Sequence, residues 1–265
     1  AERMIEEHLL DTNEFWGEYV IPSVSRDDSE FRGLDRFSYL ERGADKNYFE
    51  EWRGAVWPPT NYLTYQSLKS YGFDKTASRF ARKSTNMLLS AWDHLNRFPE
   101  YFDPEPGWPI HDTGTNSSYR YYTWSLAMAM TGMEELINAE PWSESDKDIA
   151  FGSMGLEGTN TLRNVRMQGH TYDIKVAPNE TVLTRDGKNI FKATGGRVLV
   201  RNFSQEDEKL VFTIKTGNKV SVTLYPPVTN NEVKTTIPKG KSEVVVENDK
   251  VKVLSTESLW KLNPR

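Results

Sequence analysis

Residues 50–63 read "EEWRGAVWPPTNYL". Trp52 and Trp57 stand close together among charged and polar neighbours, which is not the spacing of an ordinary core stripe. Pro58 and Pro59 follow where a helix can begin, because a missing N–H costs little in the first turn. The stretch therefore predicts a stiff aromatic strip that opens directly into a helix.

Outward from that helix start, apolar residues recur at helical spacing. PPTNYLTYQSLKSYG places Tyr62, Tyr65, Leu68 and Tyr71 on one face, with Gly72 as the stop. DKTASRFARKSTNMLLSAWDHLN follows, with Asp74 as N-cap and Ala77, Phe80, Ala81, Leu88, Ala91, Trp92 and Leu95 on a face. SSYRYYTWSLAMAMTGMEELINA reads as a further helix, apolar enough to be central. RMIEEHLL at the amino end is a short amphipathic piece without a signal peptide's apolar core, and the lack of an initial Met suggests a chain cut from something longer, with a genuine mature N-terminus as the alternative. The loops at 20–50 and 97–117 are long enough to carry function.

After Trp142 the period changes. HTYDIKVAP, TVLTRDGKNIFKA, GGRVLVRNF, EKLVFTIKTG, NKVSVTLYPP and SEVVVENDKVKVLS are short alternating runs separated by turn residues, which predicts an antiparallel β-sandwich. The expected organisation is a helical part over residues 1–148 and a β-sandwich over 149–265.

Charge divides along the same line. Residues 1–150 hold 15 Lys/Arg against 26 Asp/Glu, a net of −11, and residues 151–265 hold 18 against 12, a net of +6. Seven of the eight tryptophans lie in the acidic half, which repels phosphate backbones. Nucleic acid is therefore not an expected partner, and no apolar run is long enough for a membrane span. A neutral polar ligand with apolar faces, such as a sugar, fits better. The absence of cysteine excludes disulfide and thiol chemistry. The four histidines, His8, His94, His111 and His170, show no paired spacing for a metal, and no cofactor motif is present.

A second stretch, "RFPEYFDPEPGWP" at residues 97–109, sets Glu100 between Pro99 and Tyr101. Prolines stiffen this loop, and aromatic neighbours offer partial desolvation, which raises a carboxyl pKa. Glycoside hydrolysis needs two carboxyl groups, one as acid on the leaving oxygen and one as base or nucleophile opposite. Aromatic rings suit the C–H faces of a pyranose, while Arg, Asn and Tyr suit its hydroxyls.

The string "EEWRGAVWPPTNYLTYQSLKSYGF" resembles the Y-W-R-G-x-x-W-x-x-x-N-Y-L segment of the trehalase-like (α/α)6 glycoside hydrolases. Family 63, with its processing α-glucosidases and bacterial mannosylglycerate hydrolases, is the nearest group. "PEYFDPEPG" resembles that family's E-Y loop, "YYTWSLAMAM" its following F-x-W-S helix, and "HLLDTNEFWGEYVIPSVSRDD" the segment before the W-R-G motif. The resemblance spans residues 1 to about 138. It implies part of an (α/α)6 toroid and an inverting hydrolase without metal chemistry. Glu100 matches the general base. Trp52, Arg53, Trp57 and Asn61 match the wall of the sugar pocket, Trp124 the tryptophan of the following helix, and Tyr101 stands beside the base.

The family's general acid, an Asp on a helical hairpin ahead of the W-R-G segment, has no match. Asp27, Asp28 and Asp35 lie in "SRDDSEFRGLDRF", between the preamble and the strip. The acid is therefore expected on a missing amino-terminal segment or a second chain that completes the toroid. The alternative is a non-catalytic carbohydrate-binding or scaffolding fragment. The expected ligand is an oligosaccharide or small glycoside, and periplasmic or extracellular residence suits that substrate. The sandwich shows no chemistry of its own beyond Tyr172, Phe191, Phe203 and Tyr225 as candidate aromatic platforms.

Overall fold

The computed structural model describes residues 1–31, 53–104, 121–139, 148–206, 209–226 and 231–255, with the side chains of Leu95, Glu206 and Ser255 excepted. The chain divides into two compact units, Ala1–Lys69 with Phe80–Gly132, and Ser70–Arg79 with Met133–Arg265.

The first unit is helical. A short piece, α1 (Glu2–Met4), continues as a π-helical turn over Ile5–Leu9. Helix α2 (Pro58–Ser70) starts at the double proline, and Gly72 follows at φ 79°, a left-handed conformation that suits glycine after a helix. Its buried face is Pro58, Asn61, Tyr65, Leu68 and Lys69. The expected three-residue run is corrected at both ends, since Tyr62 is only half-buried and Tyr71 is exposed. A helix repeats every 3.6 residues, so a strict three-residue spacing drifts off the buried face.

Helix α3 (Asp74–Leu95) buries Ala77, Phe80, Ala81, Met87, Leu88 and Ala91, while Trp92 stays partly exposed. The expected fourth helix is shorter at its end. A 3₁₀ turn over Thr123–Ser125 leads into α4 (Leu126–Leu136). Ile137–Ala139, read as helix, is strand β1, with Ile137 opposite Phe151. Helices α3 and α4 pass closely at Gly132, where a Cβ would sit 2.3 Å from the Thr85 hydroxyl oxygen. That hydroxyl donates to the Met128 carbonyl at 3.1 Å. Val56, Met87, Leu88, Ala91, Phe102 and Met128 form the core here.

The second unit is built on two six-stranded antiparallel sheets. One runs β1, β2 (Ile149–Gly152), β7 (Val198–Glu206), β8 (Lys209–Thr216), β11 (Gly240–Glu247), β12 (Lys250–Ser255). The other runs β10 (Val233–Ile237), β9 (Val220–Leu224), β6 (Lys188–Thr194), β5 (Glu180–Arg185), β4 (His170–Ala177), β3 (Asn160–Met167). Inward residues of both sheets share one core. Phe191 of one sheet meets Phe151, Phe203 and Phe212 of the other edge-on at 5.0, 6.4 and 5.9 Å. The helical part followed by a β-sandwich is thus the observed architecture.

The start of α3 is tied to the sheet that contains β7 and β8. Asp74, buried, pairs with Arg201 at 3.5 Å and with Lys215. The Lys215 ammonium also donates to the Gly72 carbonyl at 3.2 Å. Asp74 is the first helical residue and carries an ion pair in place of the expected cap. Lys241, opposite Lys215 in the sheet, has its ammonium pKa lowered by burial and by Lys215. Nearby, Ser78 and Ser153 hydroxyls lie 2.5 and 2.6 Å from the same oxygen of buried Glu135.

Candidate functional site

The strip and the Glu100 loop meet as a minimal antiparallel ribbon. Val56 and Phe102 exchange both backbone hydrogen bonds, at 2.9 and 3.0 Å. Both side chains enter the helical core, which explains the apolar residues at these positions. Pro22 bridges the other side of Val56. The Ser23 amide donates to the Ala55 carbonyl at 3.0 Å, and the Gly54 amide donates to the Ser23 hydroxyl at the same distance.

One residue outward from the bridge, Trp57 and Tyr101 pack with ring centroids 4.8 Å apart and planes at 35°. Trp124, from the 3₁₀ turn before α4, meets the Trp57 ring edge-on at 6.3 Å. Tyr122 in turn stands at 88° to Trp124, 4.9 Å away. Trp57 and Tyr101 are buried, whereas Trp124 is 40% exposed and offers the open end of the cluster. Three of the expected wall residues are therefore brought together: Trp57, Tyr101 and Trp124.

The others are placed differently. Asn61 is fully buried, and among the described residues its side-chain amide bonds backbone groups on two sides. Its Nδ2 donates to the Trp57 carbonyl at 2.9 Å, and its Oδ1 accepts from the Ile21 amide at 2.8 Å. This bracket fixes the entry to α2 and with it the Trp57 backbone. Arg53 forms an ion pair with Glu30 at 2.9 Å, both side chains in contact with solvent. Trp52 lies outside the described residues.

Glu100 is half-buried, between buried Pro99 and buried Tyr101. Its loop is held on the far side by the turn ahead of α4. The Tyr122 amide donates to the Phe98 carbonyl at 2.6 Å, and the buried Ser125 hydroxyl donates to the Pro99 carbonyl. Tyr122 and Ser125 were not singled out from the sequence. Ser125 sits in an apolar helical run where one hydroxyl gives no signal. Tyr122 was legible only as one of several aromatics around Trp124.

Elsewhere the candidate groups are peripheral or internal. His8 faces Glu14 at 2.9 Å, and the His94 ring lies 2.8 Å from the Ser90 carbonyl. His170 faces Asp186 at 2.6 Å on the sandwich surface. Among the described residues, no three His, Asp or Glu side chains gather as a metal site would require. Tyr172, Phe191 and Phe203 are buried in the sandwich, so as carbohydrate platforms they are corrected to core residues. Burial accordingly pushes the Tyr172 phenol pKa up. The alternation of their strands turns them inward, away from any ligand.

The geometry above coincides with a family match. Residues 1–125 match the model of the mannosylglycerate hydrolase MGH1-like glycoside hydrolase domain. That stretch carries both the strip and the Glu100 loop, and it is similar to the glycoside hydrolase domain that the model describes. Among solved structures, the family 63 mannosylglycerate hydrolase from Thermus thermophilus in complex with glucose is 23% identical over 43% of this chain and 21% of its own, with a TM-score of 0.31. An uncharacterized conserved protein from the same organism is 23% identical over 43% of this chain and 23% of its own, with a TM-score of 0.29. This chain thus spans about a fifth of the length of these two structures. No curated protein matches the chain.

Proposed function

We propose that the helical part forms one side of the sugar pocket of an inverting glycosidase for α-linked gluco- or manno-configured substrates. Glu100 is the general base in this reading. Its carboxylate takes a proton from a water whose oxygen bonds to the anomeric carbon. The bond from that carbon to the leaving oxygen breaks on the opposite face, and a carboxylic acid supplied by another segment or a second chain protonates the leaving oxygen. Trp124, the open end of the cluster, packs a C–H face of the ring, and Trp57 and Tyr101 back it from within. Arg53 reaches a hydroxyl near its pairing with Glu30, and Asn61 holds the Trp57 backbone in register.

The observation that supports this reading is the shared ribbon. The half-buried carboxylate and the indole–phenol cluster are fixed to each other through Val56 and Phe102. The same reading makes the helices part of an (α/α)6-type toroid. Leu126, Met130 and Met133 recur along α4 at helical spacing and are each nearly half exposed, which suits a face awaiting further helices. Those helices come from a further segment or a second chain.

Glu100→Gln tests the role. Turnover of α-glucosyl or α-mannosyl fluoride, which needs no acid for its leaving group, should fall by about 10² to 10⁴, the usual worth of one general base. Binding of glucose or mannose, followed by tryptophan fluorescence, should persist. Unchanged turnover in that variant contradicts the assignment.

A further inference from the structure

We infer that Ser125 is a positioning residue for Glu100, acting through the peptide bond that joins Pro99 to it. This rests on Glu100 being the base. That peptide offers the Pro99 carbonyl oxygen as an acceptor and the Glu100 amide as a donor. The fully buried Ser125 hydroxyl bonds that oxygen. Because the peptide unit is planar, fixing the Pro99 carbonyl also fixes the direction of the Glu100 amide.

The flanking residues are held as well. On one side the Phe98 carbonyl accepts from the Tyr122 amide at 2.6 Å. On the other side Phe102 is bonded at both its amide and its carbonyl to Val56, and Tyr101 is packed on Trp57. Without the Ser125 bond the Pro99–Glu100 peptide loses the hold on its carbonyl, and a change in the plane of that peptide shifts the carboxylate with it. Ser125 also lies next to Trp124 in the same 3₁₀ turn, and its amide donates to the Tyr122 carbonyl at 3.2 Å. One turn therefore sets both the open indole of the wall and the orientation of the base. Displacement of a reacting group by about an ångström costs up to a hundredfold in rate while leaving ground-state binding nearly intact.

The test uses the full chain with α-glucosyl fluoride and α-mannosyl fluoride. Fluoride leaves without a proton, so attack by water on the anomeric carbon, with the proton passing to Glu100, completes the reaction without the acid. Ser125→Ala should lower kcat by about 10- to 100-fold with KM within about twofold, as expected for misplacement of a group used only in the transition state. Its melting temperature should fall by no more than the few degrees that one lost buried hydrogen bond accounts for. A second readout needs no turnover: the ¹³C carboxyl titration of Glu100, assigned by its loss in Glu100→Gln, should shift in Ser125→Ala while that of Glu30 does not. Loss of activity in Glu100→Gln, with kcat and the Glu100 titration unchanged in Ser125→Ala, overturns the positioning role and leaves the base standing. Retained activity in Glu100→Gln overturns the base itself.

Discussion

In the sandwich, Phe191 has aromatic neighbours from the facing sheet on three sides, and buried residues from nearly every strand join one cluster. In the helical part the buried clusters are small, and Leu63, Leu89, Trp92, Leu126, Met130 and Met133 remain substantially exposed. The sandwich closes its own core. The helical part spends its packing on fixing a loop and a strip against each other, and it leaves apolar helix faces uncovered. Stability and candidate chemistry are thus lodged in different regions, and substitutions should separate them.

The largest expected effect is on the sandwich. Phe191→Ala removes the shared ring of the core and should cost about 3–5 kcal/mol, measured by urea or thermal unfolding. A loss below about 1 kcal/mol would contradict a single closed core. Asp74→Ala comes next, because it leaves Arg201 buried without its carboxylate. About 3 kcal/mol of destabilisation is expected from breaking a buried pair of this kind.

On the helical side, Trp57→Ala should abolish sugar-dependent fluorescence change and lower stability by about 3 kcal/mol, since this ring serves both wall and packing. The opposite is expected along the uncovered stripe. Met130→Lys should change the stability of the chain by less than about 0.5 kcal/mol, as for an ordinary surface position. Marked destabilisation by that change would show that the α4 face is already covered.

The smallest effect is electrostatic. The Asp186 carboxyl is held below its ordinary value of 3.8, first by the Thr171 amide and then by His170. A depressed carboxyl contributes stability that is present above its unfolded pKa and is lost as pH falls through the folded one. Asp186→Asn should therefore lower stability slightly at neutrality, and its difference from the parent chain should vanish as pH falls well below about 4.

Much of this was legible in sequence where local signals were strong. The double proline and Gly72 bracket α2, and the alternation of HTYDIKVA or EVVVE marks β4 and β11. Strand β1 was not, because INA continues a helical run with no breaker and becomes a strand only through pairing with β2. Strand β3 was hidden by its bulge, where Asn164 takes φ 58° and interrupts the alternation. In the site, the aromatic residues and Glu100 could be picked out by type. Their meeting could not, since the Val56–Phe102 pairing joins segments 46 residues apart in number and has no local signature. Arg53 and Asn61 were chosen as ligand contacts, yet the partners that hold them, Glu30 and the Ile21 backbone, emerge only in three dimensions.

The central claim, that Glu100 activates water against a sugar on the aromatic wall, is tested most directly by the anomer first formed from α-glucosyl or α-mannosyl fluoride, followed by proton NMR. The β-anomer should appear first with the parent chain and fail to appear with Glu100→Gln. An α-anomer formed first, or the same product at the same rate from Glu100→Gln, would contradict the account.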